Sequence, residues 1–119
     1  MIFNVIRNKG DWEKALLIAE YDFNHTWDYI SAFSVEDGFE PVLFKLELSS
    51  EILLMPLIER SIGGSEYYDL VSAYGYGGAI FSKNTRSHVL LYTSLLDKLS
   101  QLNYVSLFTN NHPLLPFSD

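Results

Sequence analysis

Cysteine is absent from this 119-residue chain. That excludes disulfides, thiolate nucleophiles and every Cys-ligated zinc or iron–sulfur site, and it fits a reducing compartment. Positive charge is scarce: 8 Lys and Arg stand against 15 Asp and Glu, for a net charge of −7. Phosphate backbones and anionic membrane surfaces are held by clustered basic side chains. No Lys/Arg cluster exists along this chain, so DNA binding is not expected. Long apolar runs are missing as well. The longest, Ile52 to Ile58, falls far short of the roughly 20 residues that cross a bilayer. The start, Met1-Ile2-Phe3-Asn4-Val5-Ile6-Arg7, lacks the basic and then apolar regions of a signal peptide. A single cytoplasmic domain over residues 1–119, with no membrane span, is the expectation.

Aromatics are plentiful, with eight Tyr, eight Phe and two Trp making 15% of the chain. A buried Tyr needs a partner for its hydroxyl, so several tyrosines are expected to line a groove. The element pattern begins with a short strand at residues 2–7. Asp11 then reads as an N-cap, followed by Trp12, Ala15, Leu16 and Ala19 at helical spacing. A second helix is expected from about Thr26 to Ser34, with Trp27, Ile30 and Phe33 on one side and Asp37-Gly38 ending it. Val42 to Leu48 alternates as a strand with one solvated face. Ser49-Ser50-Glu51 turns the chain into a returning strand over Ile52 to Arg60. Pro56 inside that strand cannot donate to a ladder, which predicts a bulge or an unpaired edge. A turn at Gly63-Gly64-Ser65, a third strand at Tyr67 to Ser72, and glycines at 75, 77 and 78 follow. From about Ser87, Leu91, Tyr92, Leu95, Leu99 and Leu102 mark the strongest helix, and Tyr104 to Phe108 a last strand.

Among motifs, Ala73-Tyr74-Gly75-Tyr76-Gly77-Gly78-Ala79 lies between a strand and a helix. Its glycines let backbone N–H groups approach a ligand closely, and its tyrosines could hold one; a plain connection is the alternative. Arg60-Ser61-Ile62-Gly63-Gly64-Ser65 approaches a coenzyme A pyrophosphate signature. No helix follows to supply the anion-binding field, so it reads as a hairpin turn. Asp22, His25 and Asp28 recur at three-residue steps. A metal or acid–base cluster is disfavoured against the plainer reading, in which Asn24 or Thr26 caps the second helix and the aromatics pack, and no metal site is expected. His25, His88 and His112 show no H-E-x-x-H spacing, and no G-x-S-x-G elbow occurs. Glu36, Asp37 and Glu40 read as a solvated acidic loop.

Four segments carry a family resemblance: His25-Thr26-Trp27-Asp28-Tyr29, Met55-Pro56-Leu57-Ile58-Glu59-Arg60, Tyr74-Gly75-Tyr76-Gly77-Gly78 and Asn111-His112-Pro113-Leu114-Leu115. Together they resemble the first half of FemABX-like proteins, within the GNAT acyltransferase superfamily. Many of these act as peptidyl- or aminoacyltransferases in cell-wall or polysaccharide synthesis. The likeness runs from about residue 20 to 116. It implies an α+β half domain, a sandwich with a mixed, mainly antiparallel sheet, ordered strand, two helices, three strands, helix, strand. It also implies acceptor-binding roles for Tyr74, Gly75, Tyr76, Gly77 and Gly78, with His25, Trp27 and Tyr29 nearby. Ala79 stands where the pattern commonly has proline.

The donor-binding half comes second in that family, so no catalytic residue is assigned here. Acyl-CoA or an aminoacyl-tRNA would serve as donor only if a second half or a dimer completed the site. A sheet ending at Tyr104 to Phe108 would leave an open edge, which predicts a homodimer or a missing C-terminal half. The expected function is acceptor binding for an acyl- or aminoacyltransferase, the acceptor a sugar–peptide or amino sugar. The alternatives are a non-catalytic scaffolding homodimer and a small acyl-CoA-dependent N-acyltransferase active as a dimer.

Overall fold

The computed structural model describes residues 1–21, 25–32, 34, 38–61, 67–71, 78–102 and 104–108. Strand β1 (Ile2–Ile6) leads into helix α1 (Lys9–Leu16) and helix α2 (Trp27–Ala32). Strands β2 (Phe39–Leu48), β3 (Glu51–Ser61) and β4 (Tyr68–Val71) follow, then the two-residue β5 (Ile80–Phe81). Helix α3 (His88–Ser100) and strand β6 (Tyr104–Phe108) complete the described chain. This is an α+β domain with a mostly antiparallel sheet, as expected from sequence, with β5 as an unforeseen addition. No described helix is long and apolar enough to cross a membrane.

The strand order is β1-β2-β3-β4-β6, with β5 paired to β3 off that path. All pairings are antiparallel except β4 with β6, which is parallel. Parallel neighbours cannot be joined by a tight turn, and α3 is the crossover between them. The β2–β3 hairpin turns on Ser49 and Ser50, both at positive φ (49° and 67°). Gly38 precedes β2 at φ 85°, where a Cβ would sit 2.5 Å from Ser61 Oγ. Its carbonyl accepts from Ser61 N–H at 3.0 Å, closing the far end of the hairpin.

Period-two alternation decides which face each strand residue covers. Val42, Phe44 and Leu46 of β2, with Leu53, Met55 and Leu57 of β3, meet Leu91, Leu95 and Leu99 of α3. Leu43, Leu54 and Ile58 point the other way and meet Trp12, Ala15 and Leu16 of α1 and Ile30 of α2. The sheet is therefore covered on both sides. The expectation of one solvated face on Val42 to Leu48 fails at Leu43, which is fully buried, and at Lys45 and Glu47, which are half-buried.

Pro56 pairs with Leu43 in unbroken register, so there is no bulge. On its other side, β5 takes Leu53 and Leu54 and β4 takes Ile58 to Ser61. Proline thus falls in the stretch of β3 that neither short strand pairs, where its missing N–H costs no ladder bond.

Helix starts differ from the sequence reading by a few residues. Asn8, not Asp11, caps α1: its Oδ1 accepts from Asp11 N–H at 2.9 Å, while its amide donates to the Asp11 carboxylate. The reciprocal pair occupies the cap and third helical positions, so Asp11 looked like a cap from sequence. Thr26 caps α2 as anticipated, its Oγ1 accepting from Tyr29 N–H at 3.3 Å. The expected turn at Gly63-Gly64-Ser65, Phe33, the acidic pair Glu36-Asp37 and the segment around His112-Pro113 lie outside the described residues.

Candidate functional site

The connection from β4 to α3 was the sequence's strongest site candidate. Tyr74, Gly75, Tyr76 and Gly77 lie outside the described residues. Gly78 is described: it is buried at φ 136°, a conformation that favours glycine. Ala79 and Ile80 then bury themselves, and Ile80–Phe81 add to β3 opposite Leu54 and Leu53.

The turn that follows is tied down by a polar network. Ser82 N–H donates to the Ile52 carbonyl at 2.8 Å, and Ser82 Oγ accepts from Ile52 N–H at 2.9 Å. The same hydroxyl lies 2.6 Å from Asn84 Oδ1 and 2.9 Å from Thr85 Oγ1. Asn84 donates its amide to the Ser50 carbonyl at 3.1 Å. The chain entering helix α3 is then held from a distance. Its N-cap residue, Ser87, makes no side-chain cap bond. Instead Glu51 Oε1 accepts from Arg86 N–H at 3.1 Å and Ser87 N–H at 3.0 Å. These two backbone bonds hold the Glu51 carboxyl below the usual carboxylate range.

Against this scaffold a cavity of about 340 Å³ opens, lined among the described residues by Glu20, Ile80, Phe81, Ser82, Lys83, Thr85 and His88. Glu20 arrives there because Ala19 bridges Ser82 beyond the end of α1. The Phe81 ring meets His88 edge-on at 4.6 Å. The pocket combines an apolar floor with hydroxyls, one carboxylate, one ammonium and one imidazole. That mixture suits a small polar ligand carrying both donors and acceptors. The sequence offers Lys83 as a basic residue just before the last helix, for a phosphate-bearing cofactor, but no motif marks Phe81 or His88. The signal available was their position at and just before the start of the most strongly patterned helix; Glu20 had none.

His25, Trp27 and Tyr29 come together elsewhere, in the α1–α2 layer. His25 is fully buried, and its carbonyl accepts from Trp12 Nε1 at 3.0 Å. Trp27 meets Trp12 edge-on at 5.3 Å, and Trp27 and Tyr29 pack at the margin of the apolar cluster that Trp12 and Ile30 anchor. None of the three is among the described residues lining the cavity. Asp28 pairs with Lys9 at 3.1 Å, and Asp22 lies outside the described residues.

A second polar cluster sits at the opposite end of β3. Glu59, almost completely buried, accepts from both Arg7 guanidinium nitrogens at 3.2 and 3.0 Å and from the Tyr104 hydroxyl. The group links β3 to the residue after β1 and to the first residue of β6. Burial, reinforced by the bond to Glu59, keeps the Tyr104 hydroxyl protonated well above the ordinary tyrosine range. The Glu59 carboxylate likewise raises the Arg7 guanidinium. Glu40, read from sequence as part of a loop, lies in β2 with Oε2 3.7 Å from Arg7. Three hydrogen bonds converge on Glu59 from two other parts of the chain, so the cluster reads as a clamp. No family model, no curated protein and no solved structure matches this chain.

Proposed function

We propose that this chain is the acceptor-recognising half of an acyl- or aminoacyltransferase acting on cell-wall or polysaccharide precursors, with the cavity beside β5 as the acceptor pocket. The observation that carries the reading is position: the cavity opens on Ile80 to Thr85, within the connection between β4 and α3 and two residues after the Tyr74–Gly78 segment to which the resemblance gives ligand contact. Its lining supports the same class of ligand. The Phe81 ring offers a face for an apolar sugar edge, Glu20 a carboxylate for an ammonium, and Lys83 an ammonium for a carboxylate.

The reading includes a partner. Among the described residues β6 is paired on one side only, with β4, so its outer edge offers a ladder to a second half or a second copy. Acyl-CoA or aminoacyl-tRNA enters only with that completion. One feature weighs against an acyl-CoA enzyme made of this chain alone. The Glu51 carboxylate, held on the Arg86 and Ser87 N–H groups just before α3, places negative charge beside that helix end, which disfavours a pyrophosphate there.

Isothermal calorimetry against amino sugars and sugar–peptides tests the proposal. Saturable binding is expected, weakened by Phe81→Ala and Lys83→Ala and by Tyr74→Ala and Tyr76→Ala. Absence of binding across the panel overturns the acceptor role. Sedimentation over a concentration series tests the partner, and an invariant monomer mass rejects the homodimer.

A further inference from the structure

We infer that the groove between β1 and α1 is a second binding site, for a small organic anion whose carboxylate or phosphate head sits on an apolar body. This inference does not rest on the transferase reading, because the groove lies on a different part of the fold.

The groove encloses about 410 Å³, and the residues that matter in its lining are Asn4, Ile6, Lys14, Ala15, Ile18 and Lys45. Asn4 and Lys45 are direct cross-strand partners in the β1–β2 ladder. Such partners hold their Cβ atoms about 5 Å apart on one face. Lys14, Ala15 and Ile18 lie at spacings of one, three and four along and just beyond α1, which brings them over that face. The topology therefore brings together two lysines that are 31 positions apart in the chain (45 − 14). The absence of any basic cluster in the sequence does not anticipate this.

Three of the eight basic residues are ion-paired among the described residues; Lys14 and Lys45, like Lys83 and Arg86, are not, but only Lys14 and Lys45 line this groove. Arg7 pairs with Glu59, Lys9 with Asp28 and Arg60 with Asp69, while Lys98 lies over the Phe3 ring. No carboxylate among the described residues lies within ion-pair distance of Lys14 or Lys45. Lys45 is also half-buried, so it has lost part of its hydration without gaining an anion. The one carboxylate in the lining, Asp11, accepts from the Asn8 amide at 2.9 Å and from no lysine. An anion between the two ammonium groups would neutralise both, the Asn4 amide could donate to it, and Ile6, Ala15 and Ile18 would cover an apolar tail. The groove's volume is that of a small-ligand site.

The test is an NMR titration of the isotope-labelled full chain at constant ionic strength, with hexanoate, hexyl phosphate and hexanol as probes. The expected result is saturable movement of the Lys14 and Lys45 side-chain signals with hexanoate or hexyl phosphate, but not with hexanol. The stronger anion identifies the preferred head group. Each of Lys14→Gln and Lys45→Gln should weaken binding by about threefold to fivefold, and the pair by about tenfold or more, while Lys45→Arg retains it. Backbone spectra of the variants check that the fold is intact. Three results overturn the inference: no saturable shift at millimolar probe, equal binding of hexanol, or equal movement of Lys83 in the other cavity.

Discussion

Removing Arg7 should harm the fold more than neutralising the buried acid it serves. Glu59 accepts three hydrogen bonds, two from Arg7 and one from Tyr104, and is almost out of contact with water. In Arg7→Ala the carboxylate keeps only the tyrosine. The lost attraction is modest, on the order of 1 kcal/mol, because the Arg7 side chain is 45% exposed and solvent screens it. The larger cost is the buried anion left under-solvated, about 1–3 kcal/mol. Together these give a loss of roughly 2–4 kcal/mol. In Glu59→Gln the charge itself disappears. Arg7 turns to water and to Glu40, the Tyr104 hydroxyl keeps an amide oxygen as acceptor, and the loss should be near 1 kcal/mol. The double variant should then be more stable than Arg7→Ala alone, since no buried charge remains to be orphaned. Urea unfolding followed by circular dichroism, with unchanged m values, measures all three. The reasoning is refuted if Arg7→Ala lies within about 0.5 kcal/mol of the parent, or if Glu59→Gln deepens the defect of Arg7→Ala.

Two further outcomes follow from the hairpin. The Glu51 carboxyl is held below its ordinary range by the Arg86 and Ser87 N–H groups, so its contribution is present above the unfolded carboxylate pKa and fades as pH falls through the lower folded value. Glu51→Gln should therefore destabilise at neutral pH and lose that effect in acid, which thermal melts across pH 2–7 would read as converging curves. Gly38→Ala should cost about 1–3 kcal/mol, because its positive φ is strained for alanine and the new Cβ would press on Ser61 Oγ. Chemical denaturation checks this, and a denaturant midpoint equal to the parent's would contradict it.

Several features were legible before any coordinates. The leucine spacing of α3 specifies its buried side because 3.6 residues per turn puts Leu91, Leu95 and Leu99 in line whatever they pack against. The β2–β3 hairpin is equally local, and the order of the main elements followed from such patterns. The cap of α1 departs locally, Asn8 standing in for Asp11, whereas the departures in packing involve partners distant in sequence. Leu43 looked like one apolar residue before a polar alternation, yet α1 and α2 cover it because Trp12 and Ile30 fold across that face.

Tertiary structure alone decided the sites. Glu51 holds the entry to α3 through residues 35 and 36 positions away, and Ala19 brings Glu20 to a cavity whose other described lining residues begin at Ile80. Lys14 and Lys45 share a groove only because α1 lies over the β1–β2 ladder. Periodicity along a chain encodes which side of an element is apolar. Which polar groups then become neighbours depends on how the elements stack, and no short-range pattern carries that information.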